Sequence, residues 1–250
     1  MTRVAATVMP AVPWETPDIE TSSDDYARRF AGQTGAWMLK AQEQVVLRML
    51  SAWPKASVLE VGGGHGQLTE ALVREGHQVT VLGSDRSCQA RIRPLIEAAQ
   101  CRFITGNVLS LLCPANAFDV VVSVRLLPHV TAWPRLIGEL TRAARHAVIV
   151  DYPTVSSLNV LTPFLFAAKQ RVEGNTRTYR SFRDTEVASA FRAHRFACRG
   201  RVAQFFVPMV IHRMLRQPAV SAGAEAVCRA LQLTRWFGSP VLALFVRGDA

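Results

Sequence analysis

Lysine is nearly missing from this chain of 250 residues, which carries three lysines against 26 arginines, so its net charge of +10 rests almost wholly on guanidinium groups. Such a ratio follows genome composition as readily as function, and it assigns no nucleic-acid role by itself. Cysteine is scarce and unpatterned. Cys88, Cys101, Cys113, Cys198 and Cys228 are odd in number, widely spaced and without a Cys-x-x-Cys pair, which argues against a disulfide framework and a zinc site. Reduced, mostly buried thiols and no metal are expected. No apolar run approaches the roughly 20 residues needed to cross a bilayer. Pro10, Pro13 and Glu15 interrupt the N-terminus before a signal core can form. Residues 1–21 therefore read as a flexible leader on a cytoplasmic protein. Internal repeats and low-complexity tracts are also missing.

What is present suffices for a core: 49% of residues are apolar and only 19% charged, which excludes disorder over most of the chain and fits one medium domain. The positive charge is uneven. Residues 1–150 carry 15 basic and 13 acidic side chains, whereas residues 151–250 carry 14 and 6. The C-terminal field would attract nucleic acid, an anionic membrane face or an acidic small substrate.

Ser22 and Asp25 are spaced as a capping pair. Tyr26 and Phe30 share a helical face, and Met38, Val45, Met49 and Trp53 keep helical spacing until Pro54 stops the pattern. From residue 57 short β-rich runs, Val58–Val61, Val79–Leu82, Arg102–Thr105, Asp119–Val124 and Ala147–Asp151, alternate with helical stretches at Leu68–Arg74, Ser87–Ala99 and Pro134–Ala144. This alternation predicts an α/β, doubly wound, mostly parallel sheet with helices on both faces. Beyond Asp151 the pattern gives helices at Pro163–Val172, Thr185–Ala193, Met209–Arg216 and Gly223–Leu231, and strands at Arg201–Val207 and Val241–Val246.

The most informative segment is Glu60-Val61-Gly62-Gly63-Gly64-His65-Gly66-Gln67. A strand ending in an acid, then Gly-x-Gly-x-Gly, then a helix lets the backbone turn sharply beneath a ligand lying across the strand tips. A dinucleotide fingerprint needs a third glycine where this chain has Gln67, which weakens a pyrophosphate reading. Glu60 suits a ligand bringing a positive ammonium group, as S-adenosylmethionine does.

On these residues the chain resembles the Rossmann-like, class I S-adenosylmethionine-dependent methyltransferases. Glu60-x-Gly62-x-Gly64-x-Gly66 is similar to their first motif, Phe118–Ser123 to their fourth strand and Ala147–Asp151 to their fifth, with Val241–Val246 as the antiparallel last strand of a seven-stranded sheet. Tyr26-x-x-Arg29-Phe30 and Leu127-x-His129-Val130 resemble segments of the small-molecule enzymes, including those of quinone biosynthesis. The resemblance implies that Gly62, Gly64 and Gly66 approach the cofactor and that Glu60 meets its amino group. An acid after the second strand would hold the ribose hydroxyls; the usual place is Gly83 here, so Asp85, or Ser84 with water, takes that role. Asn107, in place of the adenine-reading acid, keeps an acceptor, and the Val108 amide serves a ring nitrogen. His129 is the candidate base, and Arg177, Tyr179 or Arg180 would orient an acidic or phenolic acceptor. His65, His194 and His212 read as packed or structural.

The resulting layout is a leader to residue 21 and one methyltransferase domain from 22 to 250, with N-terminal helices 22–54, a cofactor-binding core 55–151, and lid or substrate insertions at 152–200 and 208–239. The expected activity is methyl transfer to a small, lipophilic or aromatic acceptor, with peripheral membrane association in view. RNA methylation is an alternative drawn from the C-terminal charge, against which stand Arg125-Leu126-Leu127-Pro128 in place of a motif such as Asn-Pro-Pro-Tyr and the lack of an RNA-binding module. A non-catalytic binding protein that keeps the fold is another.

Overall fold

The computed structural model describes residues 12–157 and 179–248. The expected helix at 163–172 and Arg177 lie outside them. Three helices, α1 (Pro17–Thr21), α2 (Asp24–Arg28) and α3 (Gly32–Leu50), precede the sheet. Its strands are β1 (Ser57–Val61), β2 (Gln78–Gly83), β3 (Cys101–Thr105), β4 (Phe118–Ser123), β5 (Ala144–Tyr152), β6 (Phe196–Phe205) and β7 (Ser239–Arg247). They lie in the order β3-β2-β1-β4-β5-β7-β6, with β7 antiparallel to both its neighbours and β1 to β5 parallel. The doubly wound α/β expectation holds.

Both faces of the sheet are covered, which is why its central strands are apolar on both sides rather than alternating. Leu59, Val61, Val121, Val148 and Val150 pack under α6 (Trp133–Ala143) and α7 (Asp184–Arg192). Val58, Val120, Val122 and Ile149 pack toward α3 and α4 (Gln67–Arg74). The expected helix over 87–99 is instead a 3-10 turn, Arg86–Ile92, followed by the short α5 (Arg93–Glu97). Pro94, in the first turn of α5, cannot donate the amide a continuous helix would need.

The C-terminal helices α8 (Met209–Leu215), α9 (Pro218–Ala230) and α10 (Leu233–Phe237) are tied to β6 by one carboxylate that the sequence reading did not single out. Glu225, fully buried, accepts hydrogen bonds from the Phe206 and Val207 amides (3.1 and 2.9 Å) and the Thr234 hydroxyl, and its Oε1 lies 3.1 Å from His212 Nε2. Burial opposes ionisation of Glu225, but the bonds from His212 and the two amides outweigh it and hold the pKa below the ordinary value. Glu225→Ala strands those donors in the interior and is expected to lower unfolding free energy by about 3–5 kcal/mol, whereas Glu225→Gln keeps part of the set and loses less; urea denaturation checks both.

Candidate active site

The loop after β1 needs its glycines for two different reasons. Gly62 and Gly66 have φ of +77° and +83°, a region L side chains rarely adopt. Gly64 is required by space: a Cβ there would lie 2.0 Å from Ser22 Oγ and 2.6 Å from the Cys88 carbonyl. Glu60, at 4% exposure, accepts a 2.6 Å hydrogen bond from the Thr69 hydroxyl. Burial pushes its pKa up to about 7, with the Thr69 bond and the Arg125 charge pulling the other way. A narrow cavity beside the loop is lined by Glu60 and Gly62 and also by Thr21, His65, Gln67 and Arg125. Neither ring nitrogen of His65 has a hydrogen-bond partner among the described residues, and burial followed by the Arg125 charge keeps the imidazole neutral, its pKa down to about 3.

Arg125, just past the tip of β4, has a left-handed φ of 63°. That turn sends its amide to Asp151 Oδ1 at 2.6 Å and its guanidinium to the side-chain oxygens of Gln67 (2.9 Å) and Gln42. The cation also sits 4.8 Å from the centre of the Phe30 ring. Asp151 is buried, which raises its pKa to about 6 despite the Arg125 amide and charge. On the far side of Arg125 a second cavity of about 130 Å³ opens, lined among others by Tyr26, Phe30, Met38, His129, Tyr179 and Phe205. His129 closes a 3-10 turn, Leu127–His129, and its ring lies 5.6 Å from that of Tyr179. Arg180 is occupied elsewhere, paired with Glu186 and stacked on Trp133 and Phe182.

The other sequence-derived site residues face the N-terminal segment. Both the amide and the hydroxyl of Ser84 donate to the carboxylate of Asp18, the amide at 2.6 Å, and Cys88 Sγ adds a 3.4 Å contact. Asp18 is completely buried. Asn107 accepts from the Leu109 amide at 2.9 Å and donates to the Pro13 carbonyl at 3.0 Å, while Val108 is fully buried beside it. The Glu15 carboxylate accepts from the Thr131 and Ala132 amides. Residues 12–21 therefore correct the reading of a loose leader: polar bonds to β-strand tips fix them in place. A short polar stretch with two prolines carries no periodic signal, so only the long-range partners reveal its order.

Asp85 is exposed and caps the following 3-10 turn through the Ser87 amide at 2.8 Å, a bond that holds its carboxyl below the usual range. No acid could replace Gly83, whose Cβ would lie 2.7 Å from Cys88 Cβ and 2.9 Å from Phe103 Cζ. The structure thus brings Glu60, Gly62 and His129 to two cavities that meet at Arg125, and leaves Ser84 and Asn107 engaged by residues 13–18. Asp18→Ala leaves two buried Ser84 donors unmatched, and a loss of about 1–3 kcal/mol in denaturant titrations is expected, with faster tryptic cleavage at Arg28 and Arg29.

Residues 58–147 match a family model described as a methyltransferase domain. No curated protein sequence matches the chain. Among solved structures, a magnesium protoporphyrin IX methyltransferase from Synechocystis PCC 6803 with bound S-adenosylhomocysteine is similar at 16% identity and TM-score 0.62, over 90% of this chain and 94% of that one. A 1,6-didemethyltoxoflavin-N1-methyltransferase from Burkholderia thailandensis, bound to 1,6-didemethyltoxoflavin and S-adenosylhomocysteine, is similar at 16% identity and TM-score 0.60, over 93% and 84%. A [4+2]-cyclase shares the fold at 18% identity and TM-score 0.56, over 83% and 81%.

Proposed function

We propose that this class I, S-adenosylmethionine-dependent methyltransferase passes the methyl group to a small, apolar or aromatic acceptor held in the cavity between Arg125, His129 and Phe205. The observation that carries the reading is the adjacency of two cavities across Arg125, one beside the glycine loop and one walled by aromatic side chains. The first presents an acid and a cation together, which suits the zwitterionic end of an amino acid. Glu60 would meet the cofactor's ammonium group, Arg125 and the unpartnered His65 would face its carboxylate, and Asp85 would take the ribose hydroxyls.

When bound, S-adenosylmethionine supplies a methyl group already activated on a sulfonium, so the chain contributes alignment and exclusion of water. Phe30, Met38 and Phe205 furnish apolar walls. For a phenolic acceptor, His129 would accept the hydroxyl proton, making the phenolate oxygen the nucleophile. The adenine contacts assigned to Asn107 and Val108 lie under Pro13, and Ser22 already sits on Gly64, so residues 13–22 must yield before the nucleoside is seated. This occupancy favours one other reading, a binding protein that keeps the fold without turnover.

Calorimetric titration with S-adenosylhomocysteine and NAD tests the proposal. Saturable binding of the first alone is expected, with a Gly64→Asp variant silent; binding of NAD alone overturns it, and binding without methylation of any phenolic, amine or carboxylate acceptor favours the second reading. Glu60 must be ionised to hold an ammonium group, so affinity is expected to rise with pH up to about 7 and level off above it, while Glu60→Gln binds more weakly and loses that dependence. Asp18→Ala, which lowers stability, is expected to tighten S-adenosylhomocysteine binding about tenfold by releasing the covering segment.

A further inference from the structure

A second built site lies apart from these cavities. A groove of about 490 Å³ is lined by Arg28, Arg29, Arg213 and Arg216 and by the first turn of α3, Gly32 to Gly35. Among the described residues no carboxylate lines it. Asp25 and Glu20 pair with Arg28 and Arg29 from outside, while Arg216 pairs with no acid among the described residues. The 19-residue α3 begins at Gly32 with no side chain capping its end. Such an end carries unpaired amides and a partial positive charge. Thr34 supplies an independent sign of a missing ligand: it lines the groove, is only 5% exposed, and its hydroxyl has no hydrogen-bond partner among the described residues.

We propose that this groove binds a phosphate group. A tetrahedral anion offers enough oxygens to take the helix amides, the Thr34 hydroxyl and more than one guanidinium at once. The surroundings favour a lipid headgroup as its source. On α8, Ile211, Met214 and Leu215 are 42%, 74% and 44% exposed beside Arg213 and Arg216, an apolar edge next to a cationic one. The same two helices also border the acceptor cavity, α3 through Met38 and Gln42 and α8 through Met209. A phosphate seated here would hold the mouth of that cavity against the surface that carries the phosphate.

The test uses the full chain, with inorganic phosphate titrated by calorimetry and phosphatidylcholine vesicles with and without phosphatidylglycerol in sedimentation. The variants are Arg28→Gln with Arg216→Gln, Thr34→Val, which removes one hydroxyl at matched volume, and Arg102→Gln, an exposed charge on β3, as control. Phosphate binding that falls about tenfold in the double variant and about threefold in Thr34→Val, with the control unchanged, is the expected result. Retention on phosphatidylglycerol vesicles with phosphate competing identifies a headgroup; phosphate binding without retention identifies a soluble phosphate, and the site stands. No phosphate binding, equal loss in the control, or indifference to both Thr34→Val and the double variant overturns it. Because S-adenosylhomocysteine is titrated separately, failure here is distinct from failure of the methyltransferase reading.

Discussion

A guanidinium group at the carboxyl edge of a parallel sheet must be compensated on every side, because removing it from water without partners costs several kcal/mol or more. Arg125 meets this demand through groups drawn from five parts of the chain: Gln42 from α3, Phe30 before it, Gln67 at the start of α4 and the charges of Asp151 and Glu60 at the ends of β5 and β1. These contacts fix the separation between the glycine loop and the aromatic cavity. The same burial that makes Arg125 expensive also weakens its anions. Glu60 and Asp151 have raised pKa values, so the folded state retains protons that the unfolded chain would release. Their contribution to stability therefore falls as pH rises from 4.5 toward 7 for Glu60 and from 3.8 toward 6 for Asp151. On the proposed reading, a ligand ammonium beside Glu60 would favour its ionised form and so couple ligand charge to the integrity of the edge.

The strands and the glycine loop were legible because their signals are local. Apolar runs such as Val58–Val61 and Ala147–Asp151 need no knowledge of their partners, and Gly62 and Gly66 answer a backbone demand visible in four residues. The groups that organise the site were not local. Arg125 stood in the sequence as a lone cation after an apolar strand, and Asp151 as the last residue of another; nothing in either neighbourhood announces that one amide will meet the other's carboxylate. Asp18, in a stretch with no apolar period, was assigned to a leader although it is among the most buried charges. Pro94 did give a local warning against a continuous helix over 87–99, and the broken pattern there could have been read.

The fold itself does not decide the reaction, since a [4+2]-cyclase is built on it too. Discrimination rests on the side chains past the strand tips. His129 and Tyr179 lie within ring contact at the aromatic cavity, while Arg125 separates that cavity from the acid-bearing one. A segment folded across Ser84, Asn107 and Gly64 adds a further demand: any ligand using those groups must first break bonds that the chain already makes to itself.

The C-terminal excess of positive charge looks, in composition, like a diffuse field suited to nucleic acid. In the fold three of its arginines are already bound. Arg247 donates to the carbonyls of Thr141, Ala144 and Arg145 and to the Asn116 side chain, Arg201 pairs with Asp184 and bonds the Arg235 carbonyl, and Arg180 is held by Glu186. These cations close the edge of the sheet and cannot also track a phosphate backbone without giving up those bonds. Arg28, Arg29, Arg213 and Arg216 gather at a groove with no carboxylate among its described lining residues, against a helix end that has no cap. A polyelectrolyte needs a stripe of such sites along a surface, whereas a single phosphate needs one. The distribution of bonds, rather than the sum of charges, therefore separates a local anion site from an RNA-binding face.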